Sequence, residues 1–323
     1  MKGFMPSGRN LVLAIIAFLL ISPAARALDK VTAGTAVWPI WAFLPLQVGI
    51  DHGIWSNYGI ELEITNNGSG AKLIQALTAG SVDFGLSSGV EMAFAAKGAP
   101  IRAVAAFAGE PRTVTIIVTD DSPVKVPADL KGKTVTVPGL GSVTEWLIWK
   151  MAIAEGWGKD GIKIVTGGSV SGTMALIRSH QADAATGPPE VGYLLEAQHE
   201  GRAAFGLAQY ARHFHAHVVY ARNDLIQNNP NLVERFLKGF FAGIHYMKTH
   251  KEETTLIAVR ELHSTPEIMN RIYDELASWL EDDGQFDPQA IEVLKASYVD
   301  LGILDKKPRD DEMFTSRFVP VKP

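Results

Sequence analysis

Leu77-Thr78-Ala79-Gly80-Ser81-Val82-Asp83-Phe84 is answered, 100 residues later, by Ile177-Arg178-Ser179-His180-Gln181-Ala182-Asp183-Ala184. In each stretch an apolar helical stripe ends, the chain turns, and a short strand begins around an aspartate. Upstream of each lies a polar, glycine-containing helix start, Gly68-Ser69-Gly70 before the first and Ser171-Gly172-Thr173 before the second. The order of elements repeats along with the residues, which predicts two equivalent α/β units in place of one continuous sheet.

Working outward, Val31–Val37 reads as a strand, Trp41–His52 as a helix, Glu61–Thr65 as a strand and Val82–Leu86 as a short strand. Strand alternating with helix implies parallel sheets covered on both faces. Two β-prone runs, Thr113–Thr119 and His217–Ala221, are each followed by turn residues and read as paired connections between the units. They divide the chain into a first lobe of residues 28–119 and 219–323 and a second lobe of 120–218. Two crossings make a hinge on which a cleft can close. Beyond Asn229-Pro230 the pattern is helical, with Val233, Phe236, Leu237, Phe240, Phe241 and Ile244 on one stripe, and this tail is assigned to the first lobe with its last twenty residues irregular.

The first 27 residues combine a basic start (Lys2, Arg9), an apolar run from Leu11 to Ile21 and Ala25-Arg26-Ala27. That is the pattern of a secretory signal peptide cleaved near Ala27. The apolar run has eleven residues, short of the ~20 that a permanent membrane span needs. Without this segment the chain holds 27 basic and 35 acidic residues, net −8, which disfavours nucleic acid as a partner. There is no cysteine to carry a lipid or a cross-link, so stability must come from the core.

Three strand-to-helix junctions are rich in glycine and hydroxyl residues: Asn66 to Gly70, Gly139-Leu140-Gly141-Ser142-Val143-Thr144, and Gly167 to Thr173. Unpaired N–H groups at such helix starts, aided by the helix dipole, tolerate an anion. Ser69, Gly70, Gly141, Ser142 and Thr144 are therefore candidate contacts. Trp38-Pro39-Ile40-Trp41 directly follows the first strand, where a cleft would open, and one of its two indoles is expected to wall the ligand while the other packs inside. Gly187-Pro188-Pro189-Glu190 would face it from the second lobe; Pro189 shapes the turn, and Glu190 either accepts hydrogen bonds from a ligand amine or favours the start of the following helix.

Two motifs point to other classes of protein. Gly85-Leu86-Ser87-Ser88-Gly89 fits the G-x-S-x-G elbow of a secreted hydrolase with Ser87 as nucleophile. No oxyanion segment lies upstream, and the matching turn of the second unit has no nucleophile, so Ser87 and Ser88 are assigned to the cleft and no enzyme activity is expected. His213, His215 and His217 would share one face of a strand, as zinc ligands can, but they have no adjacent carboxylate or cysteine. They are read as hinge residues with no metal, and Phe214 among them as a further contact.

The chain resembles the nitrate/sulfonate/taurine family of periplasmic binding proteins, which also includes thiamine-pyrimidine binders. The likeness rests on Gly53-Ile54-Trp55 with Tyr58-Gly59-Ile60, the helix and turn from Leu77 to Phe84, Asp129-Leu130-Lys131-Gly132-Lys133-Thr134-Val135, Gly141-Ser142, Ala182-Asp183-Ala184 and Asn229-Pro230. It implies an α/β, type II periplasmic-binding fold of two Rossmann-like lobes joined by two crossover strands, an ABC permease as partner, and ligand contacts at Trp38, Ser69, Ser88, Ser142 and Glu190. The expectation is thus a monomeric periplasmic protein without cofactor that delivers a small solute to a permease. The first choice is an organic anion: a sulfonate, taurine, nitrate, or a larger aromatic acid given the aromatic first loop and the absence of arginine from the junctions. An aminopyrimidine gripped through Glu190 is the alternative.

Overall fold

The structure, a computed structural model, describes Met1, Gly3 and residues 27–322. The expected signal peptide therefore lies almost wholly outside the described residues. Ten strands form two five-stranded sheets. The first has the order β2(Ile60–Asn66), β1(Asp29–Thr35), β3(Phe84–Ser87), β10(His217–Arg222), β4(Ile101–Ala108). The second repeats it as β7(Lys163–Thr166), β6(Thr134–Val137), β8(Ala184–Gly187), β5(Thr115–Thr119), β9(Gly201–Gly206). In each sheet the first three strands are parallel and the strand that crosses from the other half runs antiparallel between its neighbours. Two equivalent Rossmann-like lobes are the observed fold.

The helices of nine or more residues are α1(Gly70–Ala79), α2(Val143–Ala154), α3(Val170–Arg178), α4(Pro189–Ala197), α5(Pro230–Thr249), α6(Lys251–Glu261), α7(Pro266–Leu276) and α8(Pro288–Asp300). Among the described residues no helix is long and apolar enough to cross a membrane.

The two matching stretches do the same mechanical work. Asp83 exchanges bonds with Thr32 of β1: its backbone N–H donates to the Thr32 carbonyl (2.9 Å) and its carboxylate accepts from the Thr32 N–H (3.0 Å). Asp183 does this with Thr134 of β6, both bonds at 2.8 Å. Each aspartate thereby locks the register of its strand against the parallel neighbour just where pairing begins. The turn before it needs a left-handed residue at the helix end, supplied by Gly80 (φ +74°) in one lobe and by His180 (φ +54°) in the other.

The sheet pairing corrects one assignment. Thr115–Thr119, placed with the first lobe, pairs with β8 and β9 in the second sheet. The chain leaves the first sheet between Ala108 and Thr115 and returns between Gly206 and His217. A β-prone run announces a strand, but its sheet is set by partners remote in sequence. The helix expected over Trp41–His52 is likewise divided, into a short 3-10 turn at Trp41–Phe43 and a helix that restarts with Pro45 in its first turn.

The helical tail covers the first sheet, as its apolar stripe requires. Phe236 of α5 stacks on Phe84 of β3 with centroids 3.9 Å apart, and Phe240 meets Phe107 of β4 edge-on at 4.9 Å. Residues after Leu304 are irregular apart from one 3-10 turn.

Candidate functional site

A cavity of about 320 Å³ opens between the sheets at the carboxyl ends of their parallel strands, where open α/β sheets bind ligands. The Val37–Ile40 loop after β1, with Asn66 and Gly68 after β2, forms one wall. Ser169–Ser171 after β7, with Pro188, Glu190 and Val191 after β8, forms the other, and Leu262 closes one side. Among the described residues no lysine or arginine lines it.

The walls are built alike. Asn66 accepts from the Gly68 N–H (3.0 Å) and donates to the Trp38 carbonyl (3.3 Å), which ties the aromatic loop to the end of β2. In the second lobe Thr166 accepts from the Gly168 N–H (3.2 Å) and donates to the Pro138 carbonyl (3.3 Å). Ser69 caps α1 by accepting from the Lys72 N–H (3.4 Å), and Ser169 caps α3 by accepting from the Gly172 N–H (3.0 Å).

Glu190 is the ionisable side chain on the wall of this cavity. Only 7 % of it is exposed, and neither carboxyl oxygen has a hydrogen-bond partner among the described residues. Burial pushes its pKa up to about 7, against a smaller opposing pull from its own backbone N–H and that of Trp41. The Trp41 amide faces the carboxyl without closing to hydrogen-bond geometry. An orphaned buried carboxyl costs free energy that a donor-bearing ligand would recover.

Of the twelve residues proposed from sequence, the structure puts Trp38 and Glu190 on the cavity wall. The others lie elsewhere. Trp41 is the inner member of the tryptophan pair: it is fully buried and meets Tyr273 edge-on at 6.0 Å. Pro189 is buried in the first turn of α4, beside the wall but not on it. Gly70 lies beneath Glu91, so closely that a methyl group there would overlap the carboxyl. Gly141, Ser142 and Thr144 satisfy one another's surroundings: the Gly141 N–H donates to Glu145 (2.5 Å), and the Ser142 hydroxyl donates to the Gly139 carbonyl (2.6 Å) and lies 2.8 Å from the Thr144 hydroxyl. Phe214 stacks on Trp146 (5.2 Å) beside a separate cavity of about 250 Å³ at the two crossings.

Ser87 does not stand on an exposed elbow. It lies in β3, 1 % exposed, with the Glu91 carboxyl as its polar neighbour. The His217 imidazole faces the Ser87 backbone and is enclosed by Phe43, Phe107 and Trp279, which leaves it no acid to orient it as a base. Ser88 caps the turn after β3 by accepting from the Val90 N–H (3.1 Å), while its carbonyl accepts from the Tyr220 hydroxyl (2.6 Å). Two of the three histidines meet at Asp287. His213 pairs with the Asp287 carboxylate (3.3 Å), His215 accepts from the Asp287 N–H (2.9 Å), and His217 is interior; no group of three or more potential ligands gathers among the described residues.

Sequence reasoning missed Glu91 and Glu145, both buried at helix starts. A signal existed. Ser88-x-x-Glu91 and Ser142-x-x-Glu145 both fit the serine-to-glutamate spacing of a capping box.

Two lobes of this topology around one cleft define the periplasmic-binding fold. The family described as NMT1/THI5 like matches residues 41–254, and the chain belongs to it. The alkanesulfonate-binding protein SsuA of Xanthomonas axonopodis pv. citri, solved with bound MOPS, is similar with a TM-score of 0.72 at 16 % identity over 90 % of this chain and 96 % of that one. The aliphatic sulphonate binding protein SsuA of Escherichia coli has a TM-score of 0.72 at 16 % identity over 89 % and 92 %. The desulfurization enzyme DszB shares the fold with a TM-score of 0.63 at 16 % identity over 90 % and 97 %. No curated protein matches the chain.

Proposed function

We propose that the protein is the solute-binding component of an ABC importer, exported to the periplasm, which takes up a small molecule in the interlobe cavity and presents it to a permease. It acts as a monomer and performs no chemistry, since Ser87 lacks the solvent access and the imidazole partner of a nucleophile. The fold alone leaves both binding and catalysis open, because DszB is an enzyme.

The observation that carries the ligand class is the unpartnered Glu190 carboxyl in a cavity without a cation. A sulfonate placed there would meet a like charge and no guanidinium or ammonium to offset it. A solute with N–H donors and a flat apolar part, of which an aminopyrimidine is one, would satisfy Glu190 and lie against Trp38 and Pro39. This reading displaces the organic anion favoured by the glycine-rich junctions.

A thermal-shift panel on residues 28–323 tests it. A donor-bearing heterocycle at 100 times its dissociation constant adds about 2.7 kcal/mol of stability, while alkanesulfonates, taurine and nitrate leave the melt unmoved. Glu190→Gln, which removes the accepting charge at constant shape, should weaken binding at least ~10-fold. Sulfonate-induced stabilisation of the wild type with no response to amines would reverse the ligand assignment.

A further inference from the structure

The loop that carries the aromatic wall of the interlobe cavity leaves the sheet with little to hold it. Strand β1 ends at Thr35, and the Ala36 N–H makes the last bond to a neighbouring strand, donating to the Leu86 carbonyl (3.1 Å). Structure resumes at Ile40, whose carbonyl accepts from the Phe43 N–H (3.1 Å). Between them, among the described residues, a single hydrogen bond reaches the backbone of Val37, Trp38 and Pro39: the Asn66 side chain donates to the Trp38 carbonyl (3.3 Å). Trp38 is half-buried on the cavity wall, and where its ring stands follows from where that carbonyl is held.

Asn66 is itself fixed at both ends. It closes β2 in register with Thr35, and its Oδ1 accepts from the Gly68 N–H (3.0 Å), so the amide nitrogen is the end left to face the loop. The end of β1 is clamped separately, since the Asn67 N–H and side-chain amide both donate to the Thr35 carbonyl (2.9 and 3.3 Å). The strand pairing therefore does not need the Asn66 side chain. The second lobe repeats the tie at an offset of 100 residues with a different side chain: the Thr166 hydroxyl accepts from the Gly168 N–H (3.2 Å) and donates to the Pro138 carbonyl (3.3 Å). The tie is thus a matter of geometry, open to any short side chain that can both accept and donate. In the first lobe the tied residue lines the cavity, whereas Pro138 lies off its wall.

We infer that Asn66 is a positioning residue for solute binding: by holding the Trp38 carbonyl it sets the indole against which the flat face of the solute lies. The inference rests on the interlobe cavity being the solute site with Trp38 as its aromatic wall. A wall already in place need not be ordered by the arriving solute, and pre-organisation of this kind adds affinity.

The test is fluorine NMR of residues 28–323 with 5-fluorotryptophan at the seven tryptophans, in wild type, Asn66→Ala, Asn66→Asp and Asn66→Thr, with the Trp38 resonance assigned through Trp38→Phe and 4-aminopyrimidine then titrated in. Asn66→Ala removes both bonds. Asn66→Asp keeps the acceptor for Gly68 and lacks the donor to Trp38, so it isolates that bond and serves where the alanine variant misfolds. Asn66→Thr supplies one hydroxyl for both bonds, as Thr166 does. In the alanine and aspartate variants the Trp38 resonance should shift and broaden while those of Trp146 and Trp279 stay in place. Affinity of the alanine variant for 4-aminopyrimidine should fall ~10-fold, and Asn66→Thr should return both signals towards wild type. A Trp38 resonance indifferent to the loss of the donor overturns the inference. So does an affinity loss that Asn66→Thr leaves in place, which would make Asn66 a direct contact of the solute. The resonance is read without solute, so the two readings separate: if it responds while wild type ignores 4-aminopyrimidine, the donor-ligand reading falls and the hold of Asn66 on Trp38 stands. If wild type binds 4-aminopyrimidine and the resonance does not respond, the reverse holds.

Discussion

Glu190 and Glu91 are carboxyl groups kept from water, and pH should report on both. Burial raises each from 4.5 to about 7. A folded-state value above the unfolded one contributes stability that is fully present below pH 4.5 and is lost as pH rises through about 7. The size is on the order of 3 kcal/mol per group. His215 and His217 act in the opposite sense: burial lowers them from 6.5 to about 4 and about 3, so their contribution is present above pH 6.5 and is lost as pH falls through those values. The opposed slopes largely cancel between pH 4.5 and 6.5, and a variant is needed to see either. Glu190→Gln should melt above wild type at pH 8, with the gap closing towards pH 4.5; a gap that does not change with pH would contradict the burial. Gly70→Ala gives a second test at this scale. It should lower stability, and adding Glu91→Ala should restore most of the loss, since the clash is between those two groups. Additive losses would show that the carboxyl does not lie on Gly70. Of these residues, Trp38 and Glu190 were legible in the sequence because loop position and residue type pointed the same way. Trp41 and Ser87 were not separable from them, because burial is decided by Tyr273 and β10, which are remote in sequence.

At the scale of elements, the repeated stretch around Asp83 and Asp183 carried most of the fold information, and the structure shows why two letters sufficed. Each aspartate holds its strand to the next through one side-chain and one backbone bond. The helix ends before them differ in one respect: Gly80 takes the left-handed conformation without strain, whereas His180 takes it with a Cβ. His180→Gly should therefore stabilise the second lobe by up to about 1 kcal/mol, read from chemical denaturation. A loss of stability would mean that the imidazole has a role the turn geometry does not reveal. The strand Thr115–Thr119 was legible as a strand and not as a member of the second sheet, since its pairing with Gly187 and Gly206 leaves no trace in its own composition.

Across the whole molecule, the C-terminal helices that cover the first sheet also reach the second lobe. The Arg271 guanidinium of α7 lies 3.6 Å from the Tyr193 ring of α4, whose hydroxyl donates to Glu275 at 2.8 Å. On the other flank the Trp146 indole of α2 donates to Asp300 of α8 at 3.1 Å. Such contacts favour the arrangement of lobes that encloses the cavity, and a solute that touches both lobes favours it further. Arg271→Ala should weaken solute binding by a factor of a few, mainly through faster release, because the Arg271 side chain is half-exposed and lies outside the cavity. Unchanged release would show that the contact does not couple to the cleft. The decisive measurement is a crystal structure of residues 28–323 with the donor-bearing solute that stabilises it most. It should show a ligand nitrogen within hydrogen-bond distance of the Glu190 carboxyl and a flat face against Trp38. A ligand that leaves the Glu190 carboxyl without a partner, or one bound outside the interlobe cavity, would contradict the account.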